Sequence, residues 1–161
     1  MSSKDLFQPA DAEARTLAKT LMDTATHAAL AFIQPDSPAP SVTRVALARD
    51  EQGVLVSLIS QLATHTAALA ANPTCALLVG EPGEKGDPLT HPRLTLHCTA
   101  RFLECGSAEH DTLRAHYLSI RPKAKLYVDF PDFRFVRFDI SDGLLNGGFG
   151  KAYLLSPSDL I

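Results

Sequence analysis

The chain has 161 residues and a net charge of −3 at pH 7; hydrophobic residues make up 45% of it and charged residues 20%. This size and composition predict one soluble domain over residues 1–161, with residues 1–10 expected to be flexible. The small negative charge argues against nucleic acid or an anionic membrane as a partner. No apolar run approaches the ~20 residues of a membrane span, and the N-terminus lacks the regions of a signal peptide, so we expect a cytoplasmic location.

The predicted elements are short strands with few helices between them. Ala14, Leu17 and Leu21 recur at helical spacing and predict an amphipathic first helix. Helices are predicted, in chain order, at residues 11–25, from Thr64 to the stop signal at Asn72-Pro73, and from Ser107 to about Ser119. Strands are predicted at residues 27–33, 41–49, 54–60, 74–80, 93–104, 133–140 and 143–146.

The order of these elements decides the expected fold class. Strands do not alternate regularly with helices, so a doubly wound parallel sheet is not expected. A mostly β fold fits better: an antiparallel barrel of six to seven strands with peripheral helices. Neither a G-x-G-x-x-G fingerprint after the first strand nor a P-loop is present, which argues against the usual dinucleotide and nucleotide sites.

The cysteines and histidines do not form a metal-ligand pattern. The three cysteines, Cys75, Cys98 and Cys105, include no C-x-x-C pair, so neither a disulfide framework nor a structural zinc site is expected. Cys75 and Cys98 lie in apolar strands and are expected to be buried. Two histidines of the Ser107 helix, His110 and His116, are six residues apart and project from different sides of it.

The segment from Ser57 to Thr66 runs from an apolar strand into a hydroxyl-rich turn and then into a helix. Such a helix start leaves backbone N–H groups unpaired and favours anions. Thr64 is the predicted N-cap, with His65 and Thr66 in the first turn. Taken alone, the segment is explained more simply by a capping threonine and a solvated histidine.

Several short motifs follow one another in a familiar order. They include Leu58-Ile-Ser-Gln-Leu-Ala-Thr-His-Thr66 and Gly147-Gly-Phe-Gly-Lys-Ala152. The remaining pieces are residues 27–31, 41–47, 87–95, 117–122 and 132–135. In this combination the chain resembles the pyridoxamine 5′-phosphate oxidase-like, FMN-binding split-barrel family, and within it the branch of haem-utilisation proteins.

The resemblance implies a homodimer that binds FMN in a groove at the subunit interface. The cofactor-binding positions that it implies are Arg44, Val45, Ser60, Thr64, His65, Thr66 and Arg93. Arg44 and the Ser60–Thr66 segment would hold the phosphate, and Arg93 would approach the isoalloxazine edge. The oxidase carries Arg-Lys where this chain has His65-Thr66, which implies weaker or pH-dependent phosphate binding.

Simpler interpretations of the two arginines stay open. Arg44 is equally consistent with a solvated strand residue, and Arg93 with a surface ion pair to Asp87 or Glu104.

The leading functional hypothesis is an FMN-dependent oxidoreductase acting on an unknown small substrate. No acid or base stands out: His97 and Tyr117 are conceivable, but a strand histidine is more often solvated, so catalytic residues stay unassigned.

One alternative is a haem-binding or haem-degrading protein of the haem-utilisation type. Members of that branch carry extra C-terminal sequence with haem contacts, and this chain ends at Ile161, which favours FMN. The other alternative is a non-enzymatic flavin-binding module.

Overall fold

The computed structural model describes residues 6–161, in which one nine-stranded sheet is flanked by four helices. The strands are β1 (Gln8–Pro9), β2 (His27–Ile33), β3 (Pro40–Ala46), β4 (Ala48–Arg49), β5 (Leu55–Ser60), β6 (Thr74–Val79), β7 (Arg93–Phe102), β8 (Phe133–Asn146) and β9 (Ala152–Leu155). The helices are α1 (Ala12–Thr24), α2 (Thr64–Ala71), α3 (Ala108–Ile120) and α4 (Pro157–Leu160), with 3-10 turns at Pro88–Thr90 and Pro122–Leu126.

The sheet follows the order β1-β9-β8-β7-β6-β2-β3, and the long strand β8 also pairs with β5 through its first half. All strand pairs are antiparallel except β1 with β9. The sheet therefore curls towards a barrel that stays open between β3 and β5, which do not pair. The predicted mostly β split barrel is confirmed, with more strands than expected and one parallel pair.

Three strand predictions needed correction. The predicted strand 41–49 is divided at Leu47 into β3 and β4, because the pairing with β2 ends just beyond the His27–Ala46 pair, where the Leu47 N–H bonds the carbonyl of Thr26, and β4 pairs with β5 instead. The predicted strands 133–140 and 143–146 are one strand, β8, because a bulge opposite His97 and Cys98 lets it continue. Strand β9 was missed, since it is only four residues long and follows the glycine-rich segment 147–150.

The N-terminal prediction falls partly outside the structure. Of the segment 1–10 expected to be flexible, residues 1–5 lie outside the described residues. Gln8 and Pro9 pair with β9 as β1. Among residues 6–161, no helix is long and apolar enough to cross a membrane.

Two hydrophobic clusters lie on opposite sides of β5 and β8. The first fills the barrel with residues such as Leu30, Leu96 and Phe138, and the buried stripe of α1 closes it. Asp11 caps α1 by accepting the N–H of Ala14 at 2.7 Å. The second cluster lies between α3 and the barrel wall; its largest members are Tyr117 and Phe135.

The predicted burial of two cysteines is confirmed. Cys75 and Cys98 face each other across β6 and β7 inside the barrel. Burial raises the pKa of the Cys75 thiol to about 11 and raises the pKa of Cys98 further still. Both are therefore packing residues at neutral pH.

We call the side of the open sheet that points away from the barrel core the outer face. One row of cross-strand neighbours on it consists of Arg44, Ala29, Leu78, Thr95, Leu144 and Leu154. The next row consists of Val42, Ala31, Ala76, His97 and Asp142. The outer face carries accessible apolar side chains: Val42, on the edge strand β3, is 69% exposed, and Leu78, on β6, is 42% exposed.

Candidate functional site

Arg44 and Ser60 lie on the two sides of the barrel opening. In the β4–β5 pair, Ala48 is opposite Val56 and Arg49 is opposite Leu55. Extending that register places Arg44 opposite Ser60, although β3 and β5 have separated there. Alternation along each strand turns both side chains away from the barrel core. On this extended register, the strand and the loop to which the resemblance assigns a phosphate face each other across the opening.

The neighbours Arg44 and Val45 face opposite ways. The Arg44 side chain is exposed and has no hydrogen bond or ion pair to any residue among 6–161. The Val45 side chain is 5% exposed and packs in the barrel core. Only the backbone of Val45 is therefore available to a ligand on the outer face.

The start of α2 differs from the prediction. Thr64 is not the N-cap: the cap is Ala63, which offers no side-chain acceptor. The turn is tight because the carbonyl of Ser60 accepts both the N–H of Ala63 and the hydroxyl of Thr66, so Thr64 is already the first helical residue. Thr64 is exposed, and the uncapped helix start leaves N–H groups available to an anion.

Two of the predicted hydroxyl donors are already used within the chain. Buried Thr66 donates to the Ser60 carbonyl at 2.6 Å, and the Ser60 hydroxyl donates to Asp132 Oδ2 at 2.9 Å. Each hydroxyl has a single proton, so neither donates to a phosphate in this arrangement. Asp132 was missed as part of this site, because it is 72 residues from Ser60 and no spacing rule connects them.

The charge at this opening is lower than the family pattern suggests. The His65 ring is half-buried, with its centroid 6.2 Å from that of Phe32. Burial lowers the pKa of His65 from its usual 6.5, so this side chain is neutral at pH 7. Of the residues predicted to hold the phosphate at this opening, Arg44 is the one with a full positive charge. The carboxylate of Asp132, which accepts the Ser60 hydroxyl, adds a negative charge to the same opening.

Arg93 lies at the other border of the outer face. It begins β7, three strands from Arg44, a lateral separation of about 14 Å at ~4.8 Å per strand. Its Nη1 donates to the Leu89 carbonyl at 3.2 Å. Among the described residues no carboxylate pairs with it, so the ion pair to Asp87 or Glu104 does not form.

The structure adds a histidine–carboxylate pair to the outer face. His97 Nδ1 and Asp142 Oδ1 are 2.6 Å apart, on β7 and β8. The bulge in β8 adds Ser141 between the partners of Cys98 and His97, and this extra residue brings Asp142 opposite His97. Tyr117, the other residue considered as an acid or base, is fully buried in the second cluster and far from this face.

Comparisons with known proteins agree with this architecture. The family model "CREG, beta-barrel" matches residues 9–160. The chloroplastic heme oxygenase HOZ of Arabidopsis thaliana is 37% identical over 123 residues, which are 76% of this chain and 36% of HOZ. A heme binding protein from Mycobacterium smegmatis has 25% identity and a TM-score of 0.81, over 95% of this chain and 60% of that protein.

A further solved structure shares the fold. It is a Clostridium acetobutylicum protein related to general stress protein 26, of the pyridoxinephosphate oxidase family. It is 14% identical, with a TM-score of 0.70 over 94% of this chain and all of its own, so it supports the fold alone. The chain spans about a third of the length of the curated relative that it matches.

Proposed function

The chain belongs to the CREG beta-barrel family of split-barrel proteins, and we propose that it binds haem on its outer face as a homodimer. The observation that carries the proposal is an accessible apolar sheet bordered by Arg44 and Arg93, neither paired with a carboxylate among residues 6–161. Haem is a flat apolar ring with two carboxylates, so an apolar surface with such arginines at its borders offers it complementary groups. The similarity to HOZ and to the M. smegmatis protein supports the same ligand.

The two arginines are distinctive because most others are neutralised. Arginines with carboxylate partners are Arg15, Arg49, Arg101, Arg114 and Arg137. Arg121 is held by two backbone carbonyls, and Arg134 lies over the ring of Phe102. The Arg44 side chain has no partner among residues 6–161, and Arg93 has one backbone acceptor, the Leu89 carbonyl, so both keep guanidinium N–H groups available to an anionic group of a ligand.

A second copy of the chain is the proposed cover of the outer face. Val42, Leu78 and Leu154, on three strands of this face, are each at least 39% exposed, and exposed apolar side chains that share one face are typical of association sites. A twofold pairing would bury these side chains and enclose a ligand between the two sheets. Light scattering of the purified protein tests this, with an expected mass of roughly twice 17.3 kDa.

The central test is a titration of the purified protein with ferric haem, followed by the Soret band. Arg44→Ala and Arg93→Ala should each weaken binding by about 1.5–3 kcal/mol, the value of a charged hydrogen bond. That corresponds to about a 10- to 150-fold rise in Kd. Arg114→Ala is the matched control. Arg114 lies on α3, away from the outer face, and forms an ion pair with Asp129. Failure of the wild-type protein to bind haem would refute the proposal.

FMN is the second candidate, favoured by a different observation. Arg44 lies in register with Ser60, and the adjacent start of α2 has no side-chain cap, an arrangement that favours a phosphate. The fit is partial, because Ser60 and Thr66 donate within the chain and His65 is neutral. Bound FMN would supply electron transfer for an oxidoreductase, and a flavin carrier would use the same site. Quenching of flavin fluorescence, measured beside the haem titration, decides between the two ligands.

The cytoplasmic location stays a prediction. The curated relative HOZ is chloroplastic, so the similarity does not support that compartment.

A further inference from the structure

We propose that His97 is the axial ligand of the haem iron and that Asp142 positions it; this rests on the proposed haem binding. An ionised carboxylate only accepts hydrogen bonds, so His97 Nδ1 donates to Asp142 Oδ1 across 2.6 Å. That bond selects the tautomer whose Nε2 carries a free lone pair. Histidines that bind metals are commonly oriented by a carboxylate in this way.

The other histidines are less suited, because their ring nitrogens are occupied or face elsewhere. His27, on the same face, contacts Thr26 Oγ1 through Nδ1 and Glu81 through Nε2, each at 3.2 Å. In His91, Nδ1 accepts the N–H of Gly83 and Nε2 donates to the carbonyl of Lys85.

The three remaining histidines lie away from the outer face. His116 Nε2 donates to the Arg49 carbonyl at 2.9 Å. His110 packs edge-on against Phe135, beside the second cluster, with ring centroids 5.5 Å apart. His65 is half-buried beside Phe32, a barrel-core residue. His97 is therefore the outer-face histidine whose Nε2 has no partner among the described residues.

Small side chains neighbour His97 on the outer face. Its cross-strand row contains Ala31 and Ala76, whose side chains end at Cβ. The His97 side chain is 48% exposed, so its ring is accessible from the outer face. Arg93 lies four residues earlier on the same face of β7, about 13 Å along the strand at ~3.3 Å per residue. A haem ring centred near His97 would extend its carboxylates towards Arg93.

The experiment compares wild type, His97→Ala, Asp142→Asn and the control His27→Ala, each loaded with haem. Resonance Raman spectroscopy of the ferrous form reports the iron–imidazole stretch directly. We expect wild type and His27→Ala to show this band. His97→Ala should lose it and recover an imidazole-ligated spectrum when free imidazole is added. Asp142→Asn should keep the band at a lower frequency, with haem affinity about tenfold weaker.

The outcomes separate this inference from the proposed function. If wild-type protein binds no haem, the proposed function fails and His97 has no iron to bind. If wild-type protein binds haem and His97→Ala keeps an unchanged iron–imidazole band, the axial-ligand assignment is wrong and haem binding stands. His97→Gln and circular dichroism of each variant exclude misfolding as the cause of a lost band.

Discussion

Arginines are used in opposite ways on the two sides of this barrel. On the side covered by α3, Arg137 is buried and forms an ion pair with Asp50 at 2.8 Å and another with Glu109. On the outer face, Arg44 and Arg93 have no carboxylate partner among residues 6–161. A buried charge is tolerated only when it is paired, whereas an unpaired charge must stay in water or meet a ligand. The covered side is thus built for stability, and the outer face has its charges available for binding.

The largest expected effect tests the covered side. Arg137→Ala leaves the buried carboxylate of Asp50 without its ion-pair partner and should destabilise the protein by about 3–5 kcal/mol. Urea unfolding measures this difference. Arg101→Ala is the control, because Arg101 meets the same Glu109 at a half-exposed position and should cost less than about 1 kcal/mol. Equal losses in the two variants would show that burial of the Arg137 ion pair does not set its contribution to stability.

An intermediate effect tests the outer face as an association surface. Leu78→Asp adds a charge at the apolar centre of this face, where the side chain is already 42% exposed. We expect the unfolding free energy to change little, by about 0.5 kcal/mol or less, as is usual for surface substitutions. The mass from light scattering should fall from dimer to monomer. Retention of the dimer in Leu78→Asp would show that another surface is used.

The smallest expected effect concerns the carboxylate nearest to the barrel opening. Asp132→Asn keeps an acceptor for the Ser60 hydroxyl and removes one negative charge from the predicted phosphate site. FMN should then bind more tightly, by about 1 kcal/mol, or about fivefold, for a single charge in water-exposed surroundings. Asp129→Asn, on the far side near Arg114, is the matched control. An unchanged FMN affinity in Asp132→Asn would place the phosphate elsewhere.

The parts predicted correctly were those governed by local pattern. The stripe of Ala14, Leu17 and Leu21 predicted α1, and alternation along residues 93–104 predicted β7. The start of α2 was predicted one residue too late. A threonine is a favourable N-cap in general. Here the hydrogen bond from the Thr66 hydroxyl to the Ser60 carbonyl tightens the turn, so the helix begins at Thr64 with Ala63 as its N-cap.

The candidate site was predictable only in part. The resemblance implied Arg44 and Arg93 as cofactor-binding positions; the structure places both on the outer face, and their binding role stays a prediction. The resemblance did not identify Asp132, which meets Ser60 from 72 residues away, or Asp142, which meets His97 from 45 residues away. Such partners are chosen by strand pairing and by a bulge, and neither leaves a mark in residue spacing.

By itself, the sequence determined a mostly β domain with an amphipathic first helix, because side-chain periodicity depends only on neighbouring residues. The tertiary structure alone decided which charges are neutralised and which stay available. Arg137 and Arg44 are both strand arginines, and nothing local distinguishes them. One became buried beneath α3 opposite Asp50, and the other borders an open sheet, because pairing and curvature bring distant segments together only in the folded chain.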